Sequence, residues 1–255
     1  MNPPQNDGEF ARWLAGRAGE ELLRLRDELG FDDPAALRDA GDRRSHELLV
    51  AELARWRPGD AVLSEEGHDD PARLTAERVW VIDPLDGTRE FGEPGRSDWA
   101  VHVALWTRER GLTAGAVALP AQGRVLATDR PPAYPVHPVP DRPRLAASRT
   151  RPPAFLAKVA DEVGADLVPM GSAGAKIAAV ISGEVDAYLH AGGQYEWDSA
   201  APVAVAIATG LHTSRIDGSE LRYNQADPRL DDLLVCRRGL ADRLLAAVAG
   251  HQEGR

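Results

Sequence analysis

The segment 131–143, PPAYPVHPVPDRP, contains six prolines and divides the sequence into two parts with different patterns. Proline has no backbone N–H and fixes φ, so a segment this rich in proline is predicted to be a connector. Residues 1–130 show helical periodicity followed by strand-like runs, which is typical of an α+β unit. Residues 144–255 alternate strand-like and helical runs, which indicates an α/β unit. The length of 255 residues allows one large domain or two closely packed halves.

Periodicity predicts the elements of both halves. In the first half, one helix is predicted over Glu9–Leu29 and a second from Asp42, as its N-cap, to Pro58. Strands are predicted at 61–66, 79–83 and 99–106, with a hairpin at 112–120 and 123–129. In the second half, strands are predicted at 144–148, 166–170 and 185–190, and helices at 152–163, 172–183 and 197–210.

Composition narrows the classes of partner. A formal net charge of −10 argues against a nucleic-acid polymer as ligand. No stretch approaches the roughly 18 consecutive apolar residues of a membrane span. The single cysteine, Cys236, cannot form an internal disulfide, and MNPPQNDGEF contains no apolar signal segment. We therefore expect a cytoplasmic protein.

The stretch 79–91, VWVIDPLDGTREF, ends a buried-looking strand in two aspartates. Around a proline turn, Asp83 and Asp86 can converge on one cation, with the Leu85 carbonyl as a further oxygen ligand. The N–H groups of Gly87 and Thr88 can hold phosphate oxygens. A solvated turn and a covalent phosphatase with Asp83 as nucleophile are the alternatives. The covalent type has one residue fewer between its acids, which disfavours it.

The other candidate residues have simple structural explanations when each is taken alone. The acids Glu65 and Glu66 end a strand and suit a solvated loop. Asp42 and Asp198 suit helix N-termini. Ser172 and Lys176 fit a packed helix of small residues. Of the histidines, only His190, at the end of a strand, is considered a functional candidate.

Taken together and in order, these residues resemble a known family. The matching features are Asp42, Glu65-Glu66, DPLDGT at 83–88, GSA at 171–173 and WDSAAP at 197–202. They span nearly the whole chain and resemble the inositol monophosphatase superfamily of Mg²⁺-dependent, Li⁺-sensitive phosphomonoesterases. The resemblance implies one domain with a layered αβαβα sandwich. Within that superfamily, the chain looks like the CysQ-type 3′(2′),5′-bisphosphate nucleotidases at four places: Arg89-Glu90-Phe91, Lys176, His190 and the segment 222–237.

The resemblance implies a role for each matching residue. It implies that two to three Mg²⁺ ions are held by Glu65, Asp83, the Leu85 carbonyl, Asp86 and Asp198. It implies that Thr88, supported by Asp42 and assisted by Glu65, orients an attacking water. The substrate contacts it implies are those of Asp86, Gly87, Thr88 and Asp198. Ser172, Lys176 and His190 are our hypothesis for the other end of the substrate, where a cationisable residue such as His190 suits a second phosphate. A lysine that many members carry before Asp42 is absent here, and its role is lost or passes to Arg38.

The implied reaction is hydrolysis of the 3′-phosphate of 3′-phosphoadenosine 5′-phosphate to AMP, in sulfur assimilation, with the sulfated form as a second substrate. Inositol monophosphate and fructose 1,6-bisphosphate are alternative substrates on the same fold. A covalent phosphatase and an inactive binding module are the rival classes. A homodimer is possible, since dimers are common in the superfamily.

Overall fold

The computed structural model describes residues 3–252, which form two five-stranded sheets. The first sheet has the order β1-β2-β3-β4-β5, with β1 parallel to β2 and the other neighbours antiparallel. Its strands are β1 (Ala61–Ser64), β2 (Arg78–Asp86), β3 (Ala100–Thr107), β4 (Gly111–Leu119) and β5 (Arg124–Ala127). All five strands predicted in the first half are therefore present.

The second sheet has the order β7-β6-β8-β10-β9 and mixes parallel and antiparallel pairs. Its strands are β6 (Arg144–Ser148), β7 (Asp166–Met170), β8 (Ala187–Tyr195), β9 (His212–Ser214) and β10 (Arg229–Cys236). β6 is parallel to both β7 and β8, as alternation with helices predicts. β8 continues five residues beyond the predicted end at His190.

Seven α-helices within residues 3–252 complete the architecture. They are α1 (Asp7–Leu29), α2 (Pro34–Trp56), α3 (Thr88–Phe91), α4 (Leu156–Glu162), α5 (Ala173–Ile181), α6 (Glu196–Thr209) and α7 (Ala241–Gln252). None of them combines the length and the apolar character that a membrane crossing requires.

Three apolar clusters hold the layers together. In the first, α1 and α2 pack on one face of the first sheet, around Trp80 and Phe10. In the second, α5 and α6 lie between the two sheets. In the third, α4 and α7 cover the outer face of the second sheet, around Leu189 and Leu244. The order helix, sheet, helix, sheet, helix confirms the layered αβαβα fold.

The predicted start of α2 is wrong. The helix begins at Pro34, and Asp33 is its N-cap, with its Oδ1 accepting a hydrogen bond of 3.0 Å from the Ala36 N–H. An aspartate followed by proline supplies both the cap and the fixed φ of a first helical residue. Asp42 therefore does not cap a helix; it lies inside α2 and projects from the helix surface.

Residues 131–143 contain no helix or strand. The Arg237 guanidinium donates hydrogen bonds to the carbonyl oxygens of Pro135 and Pro138, and it forms a buried ion pair of 3.1 Å with Asp186. The segment is thus fastened to the second sheet through backbone acceptors. The division into halves at 1–130 and 144–255 stays a prediction.

Candidate active site

Two aspartates lie near the C-terminal end of β2, where the chain turns into α3. Asp83 is fully buried, and its Oδ1 accepts a hydrogen bond of 3.0 Å from the Leu85 N–H. Gly87 follows with a φ of 85°, a conformation that glycine adopts without strain. A Cβ at Gly87 would lie 3.0 Å from the Cβ of Ser172, so the glycine also lets α5 approach the turn.

Asp86 joins this turn to the start of α5. It accepts hydrogen bonds from Ser172 Oγ at 2.6 Å, from the Ala173 N–H at 3.1 Å and from the Gly174 N–H at 2.5 Å. Ser172 has a φ of 45°, which is uncommon for a residue other than glycine and marks local strain. The carboxylate of the first sheet thus fixes the N-terminus of a helix from the second half.

Asp42 reaches the same turn from α2. Thr88 Oγ1 lies 3.0 Å from the Leu85 carbonyl oxygen and 3.4 Å from Asp42 Oδ1, and it can donate to either. The helix comes this close because residue 41 is glycine: a Cβ there would lie 2.7 Å from the Phe91 ring. Asp42 therefore meets Leu85 and Thr88 at one point, although it is 46 residues from Thr88 in sequence.

The carboxyl groups around the turn repel one another. Burial, with the negative charges of Glu66 and Glu65, raises the pKa of Asp42 to about 7. Withdrawal from water raises the pKa of Glu65 to about 7, although its side chain keeps solvent access. Burial and the charge of Asp86 raise the pKa of Asp198 to about 8. Burial also holds the pKa of Asp83 well above its usual range.

These acids fit a divalent cation. Within residues 3–252, the buried Oδ2 of Asp83 has no hydrogen-bond partner. Carboxylates so close together favour a positive charge between them, and oxygen ligands suit hard cations such as Mg²⁺. Asp83, Asp86 and His102 each offer one ligand atom within 4.8 Å of the others. The buried group of acids can therefore hold a metal ion.

His102 is the one residue of this group that the sequence did not single out. It lies on β3 opposite Asp83 and is fully buried. Its Nδ1 is 3.0 Å from the Trp197 carbonyl oxygen, to which it must donate, and its Nε2 is 3.3 Å from Asp86 Oδ2. Burial lowers its pKa. A histidine inside the otherwise apolar strand 99–106, facing the aspartate strand, was the available signal.

The remaining candidate residues line a cleft of about 360 Å³ that also includes Asp86 and Asp198. Lys176 is buried, and its ammonium donates to the carbonyl oxygens of Gly171 at 3.1 Å and Ser172 at 2.7 Å. His190 Nε2 lies 2.6 Å from the Gly192 carbonyl oxygen. Burial lowers the pKa of both Lys176 and His190.

Asp198 lies in the first turn of α6, which begins at Glu196. Its Oδ2 accepts a hydrogen bond of 2.7 Å from the N–H of Tyr195, the N-cap residue. The structure thus brings Asp42, Glu65, Asp83, Asp86 and Thr88 together from the first half, and Ser172, Lys176, His190 and Asp198 from the second.

The model of the inositol monophosphatase family matches residues 10–253, almost the whole chain. The chain belongs to the inositol monophosphatase family. This confirms the family predicted from the order of the acidic motifs. The family member of Staphylococcus aureus described as inositol monophosphatase-II superposes with a TM-score of 0.79 at 22% identity, over 96% of each chain. SuhB of Mycobacterium tuberculosis superposes with a TM-score of 0.71 at 26% identity, over 98% of each chain.

Two relatives of this inositol monophosphatase family protein are considerably more similar in sequence. A "3′-phosphoadenosine 5′-phosphate phosphatase" of Mycobacterium leprae is 55% identical over 252 residues, covering 95% of this chain and 93% of that protein. The protein of the same description in M. tuberculosis is 57% identical over 239 residues, covering 91% of this chain and 89% of that protein. The inositol-1-monophosphatase SuhB of M. tuberculosis is 32% identical over 265 residues, covering 91% and 83%.

Proposed function

We propose that this protein hydrolyses the 3′-phosphate of 3′-phosphoadenosine 5′-phosphate to give AMP and phosphate. The observation that carries the proposal is the difference in identity between two groups of relatives. Those described as phosphatases of this nucleotide are 55–57% identical, whereas those described as inositol-1-monophosphatases are 32% identical. The sulfated nucleotide is a second substrate in this proposal, which would place the enzyme in sulfur assimilation.

We further propose Mg²⁺ as the cofactor, with two to three ions per site. Glu65, Asp83, the Leu85 carbonyl oxygen, Asp86 and Asp198 would hold them, and the crowded acids and the unpartnered Asp83 Oδ2 support this assignment. Bound Mg²⁺ makes water more acidic and offsets the charge of a leaving oxygen.

The chain's own groups then position the reactants. Thr88 is held between Asp42 and the Leu85 carbonyl, so its hydroxyl can orient a water at the mouth of the turn. Asp42 and Glu65, each with a pKa of about 7, can take up a proton near neutral pH. The N–H groups of Gly87 and Thr88 are the proposed contacts for the phosphate that is cleaved.

The geometry does not favour the covalent alternative. A nucleophilic aspartate must reach the phosphorus atom, but Asp83 is fully buried and its Oδ1 is tied to the Leu85 N–H. Inositol-1-monophosphatase activity is the second candidate, supported by the 32% identical relatives. An inactive binding module is disfavoured because the complete set of acids is retained at a cost in charge repulsion.

Phosphate release tests the proposal. The purified protein is assayed with 3′-phosphoadenosine 5′-phosphate, its sulfated form, inositol 1-phosphate and fructose 1,6-bisphosphate, each with Mg²⁺ and with excess EDTA. We expect the highest kcat/KM for the nucleotide and no turnover with EDTA. A higher kcat/KM for inositol 1-phosphate would overturn the assignment. Homodimerisation and a cytoplasmic location stay predictions that gel filtration and cell fractionation can test.

A further inference from the structure

Groups of opposite charge line the cleft. Asp86 and Asp198 are among the acids of the proposed metal site. Arg89, Arg149 and Arg151 also line the cleft, and we call these three residues the arginine end. Arg89 extends from α3, and the other two arginines follow β6.

Arg149 is held in place by two carboxylates. Its Nε donates to Glu90 Oε1 at 2.8 Å, and its Nη2 donates to Glu93 Oε1 at 2.6 Å. Glu90 is itself buried and packs directly against Gly171, where a Cβ would lie 2.3 Å from its side chain. Glu90 therefore orients Arg149 toward the cleft, and the positive charge of Arg149 is largely neutralised by Glu90 and Glu93.

Arg89 and Arg151 are exposed, and within residues 3–252 neither forms a salt bridge. The other basic groups of the cleft are poorly suited to meet an anion. The Lys176 ammonium is buried and already donates to two carbonyl oxygens. His190 is neutral near pH 7, because burial and the positive charges of Lys176 and Arg151 lower its pKa. The free positive charge of the cleft is therefore that of Arg89 and Arg151.

We propose that the arginine end binds a second phosphate of the substrate. Arg151 would be a direct ligand of that phosphate, and the Arg149 guanidinium, oriented by Glu90, would be a second hydrogen-bond donor to it. This rests on the proposed function, since it requires a substrate with two phosphates. A guanidinium presents paired N–H donors that match phosphate oxygens, and a substrate with one phosphate would engage only the acidic end. Discrimination between bisphosphate and monophosphate then depends on residues 149–151.

The first test compares two substrates that differ only in the second phosphate. For wild type, Arg151→Ala and Arg151→Lys, kcat/KM is measured with adenosine 3′,5′-bisphosphate and with adenosine 3′-phosphate. We expect the ratio of the two values to fall about 10- to 100-fold in Arg151→Ala, as for loss of a charged hydrogen bond, and to recover partly in Arg151→Lys. An unchanged ratio, with both substrates affected equally, would show a structural role only and overturn the proposal.

The second test does not depend on turnover. Binding of AMP and of adenosine is measured by calorimetry, since AMP keeps the 5′-phosphate and adenosine lacks it. The wild type should bind AMP more tightly, and Arg151→Ala should lose that preference. Arg24→Ala, which removes one exposed arginine from α1 on the far side of the first sheet, is the matched control and should keep the preference. If the wild type binds AMP and adenosine with equal affinity, the second-phosphate subsite is refuted. If the wild type prefers AMP but does not turn over the bisphosphate, only the proposed reaction is refuted.

Discussion

Binding of Mg²⁺ should release protons, and the structure sets their number. At pH 7, Glu65 with a pKa of about 7 is about half protonated, and Asp198 with a pKa of about 8 is about nine-tenths protonated. Burial also raises the pKa of Asp83 well above its usual range, which acts in the same direction. Metal ligands must be ionised, so binding should release roughly one to two protons near pH 7.

Calorimetry measures this release directly. Mg²⁺ is titrated into the protein at pH 7 in two non-chelating buffers with different heats of ionisation, and the difference in observed enthalpy gives the number of protons. The logarithm of the affinity should rise with pH by roughly one to two per pH unit near pH 7. Asp198→Asn should release about one proton fewer and bind Mg²⁺ more weakly.

The matched control is Asp166→Asn. Asp166 is exposed, and a hydrogen bond from Arg142 lowers its pKa, so it is already ionised at pH 7. This variant should release as many protons as the wild type. Equal enthalpies in both buffers, with an affinity independent of pH, would refute the reasoning that the metal replaces protons on crowded acids.

The same groups predict how the metal-free protein responds to pH. Between pH 7 and 8.5, the folded state retains protons on Asp198 and its neighbours that the unfolded chain has lost, since their unfolded pKa values are near 4. The folded state therefore binds more protons, and the free energy of unfolding must fall as the pH rises. Urea titrations at both pH values should show a lower midpoint at pH 8.5, and Mg²⁺ should remove most of the difference.

Three substitutions test individual contacts. Asp83→Asn should lower kcat about 100-fold or more and abolish the rise in Tm on adding Mg²⁺. The reason is that mutation of residues that only contact a metal ligand already costs about 10- to 100-fold in metal affinity or activity. Full Mg²⁺-dependent activity of this variant would contradict the metal assignment. His102→Leu should weaken Mg²⁺ binding in calorimetry by about 10- to 100-fold. His102→Asn should restore part of that affinity, because its amide can still donate to the Trp197 carbonyl oxygen. Equal Mg²⁺ affinity in the two variants would rule out a positioning role for His102. Gly174→Ala should lower the free energy of unfolding by about 1–3 kcal/mol, since its Cβ would lie 1.9 Å from His102 Nε2, and an unchanged urea midpoint would contradict the packing described.

The sequence predicts the acidic end of the cleft well because its signals are local. The predicted strand that ends at Asp83, the proline turn and the DG pair occupy nine consecutive residues, 79–87, so one short stretch determines both the strand end and its ligands. Asp42 is a different case. Its helix begins at Pro34, and its approach to Thr88 depends on the glycine at position 41, a contact between α2 and the turn that no local pattern records.

The arginine end and His102 depend on pairings that periodicity does not reveal. Glu90 and Arg149 are 59 residues apart in sequence and meet only because α3 and β6 come together. His102 faces Asp83 through the register of β2 and β3, and the bulge between Asp83 and Asp86 pairs Asp86 with Ala100, on the same face of the sheet as His102. The stretch Arg89-Glu90-Phe91 suggested a nucleotide by resemblance, and the structure supplies a physical role for Glu90 in holding Arg149.

The central claim is that this chain removes the 3′-phosphate of a nucleotide bisphosphate. An equimolar mixture of 3′-phosphoadenosine 5′-phosphate, inositol 1-phosphate and fructose 1,6-bisphosphate, followed by ³¹P NMR with Mg²⁺ present, tests it in one experiment. We predict that the nucleotide 3′-phosphate signal is lost first while the 5′-phosphate signal persists as AMP. Earlier loss of the inositol phosphate signal, or loss of the 5′-phosphate, would contradict the claim.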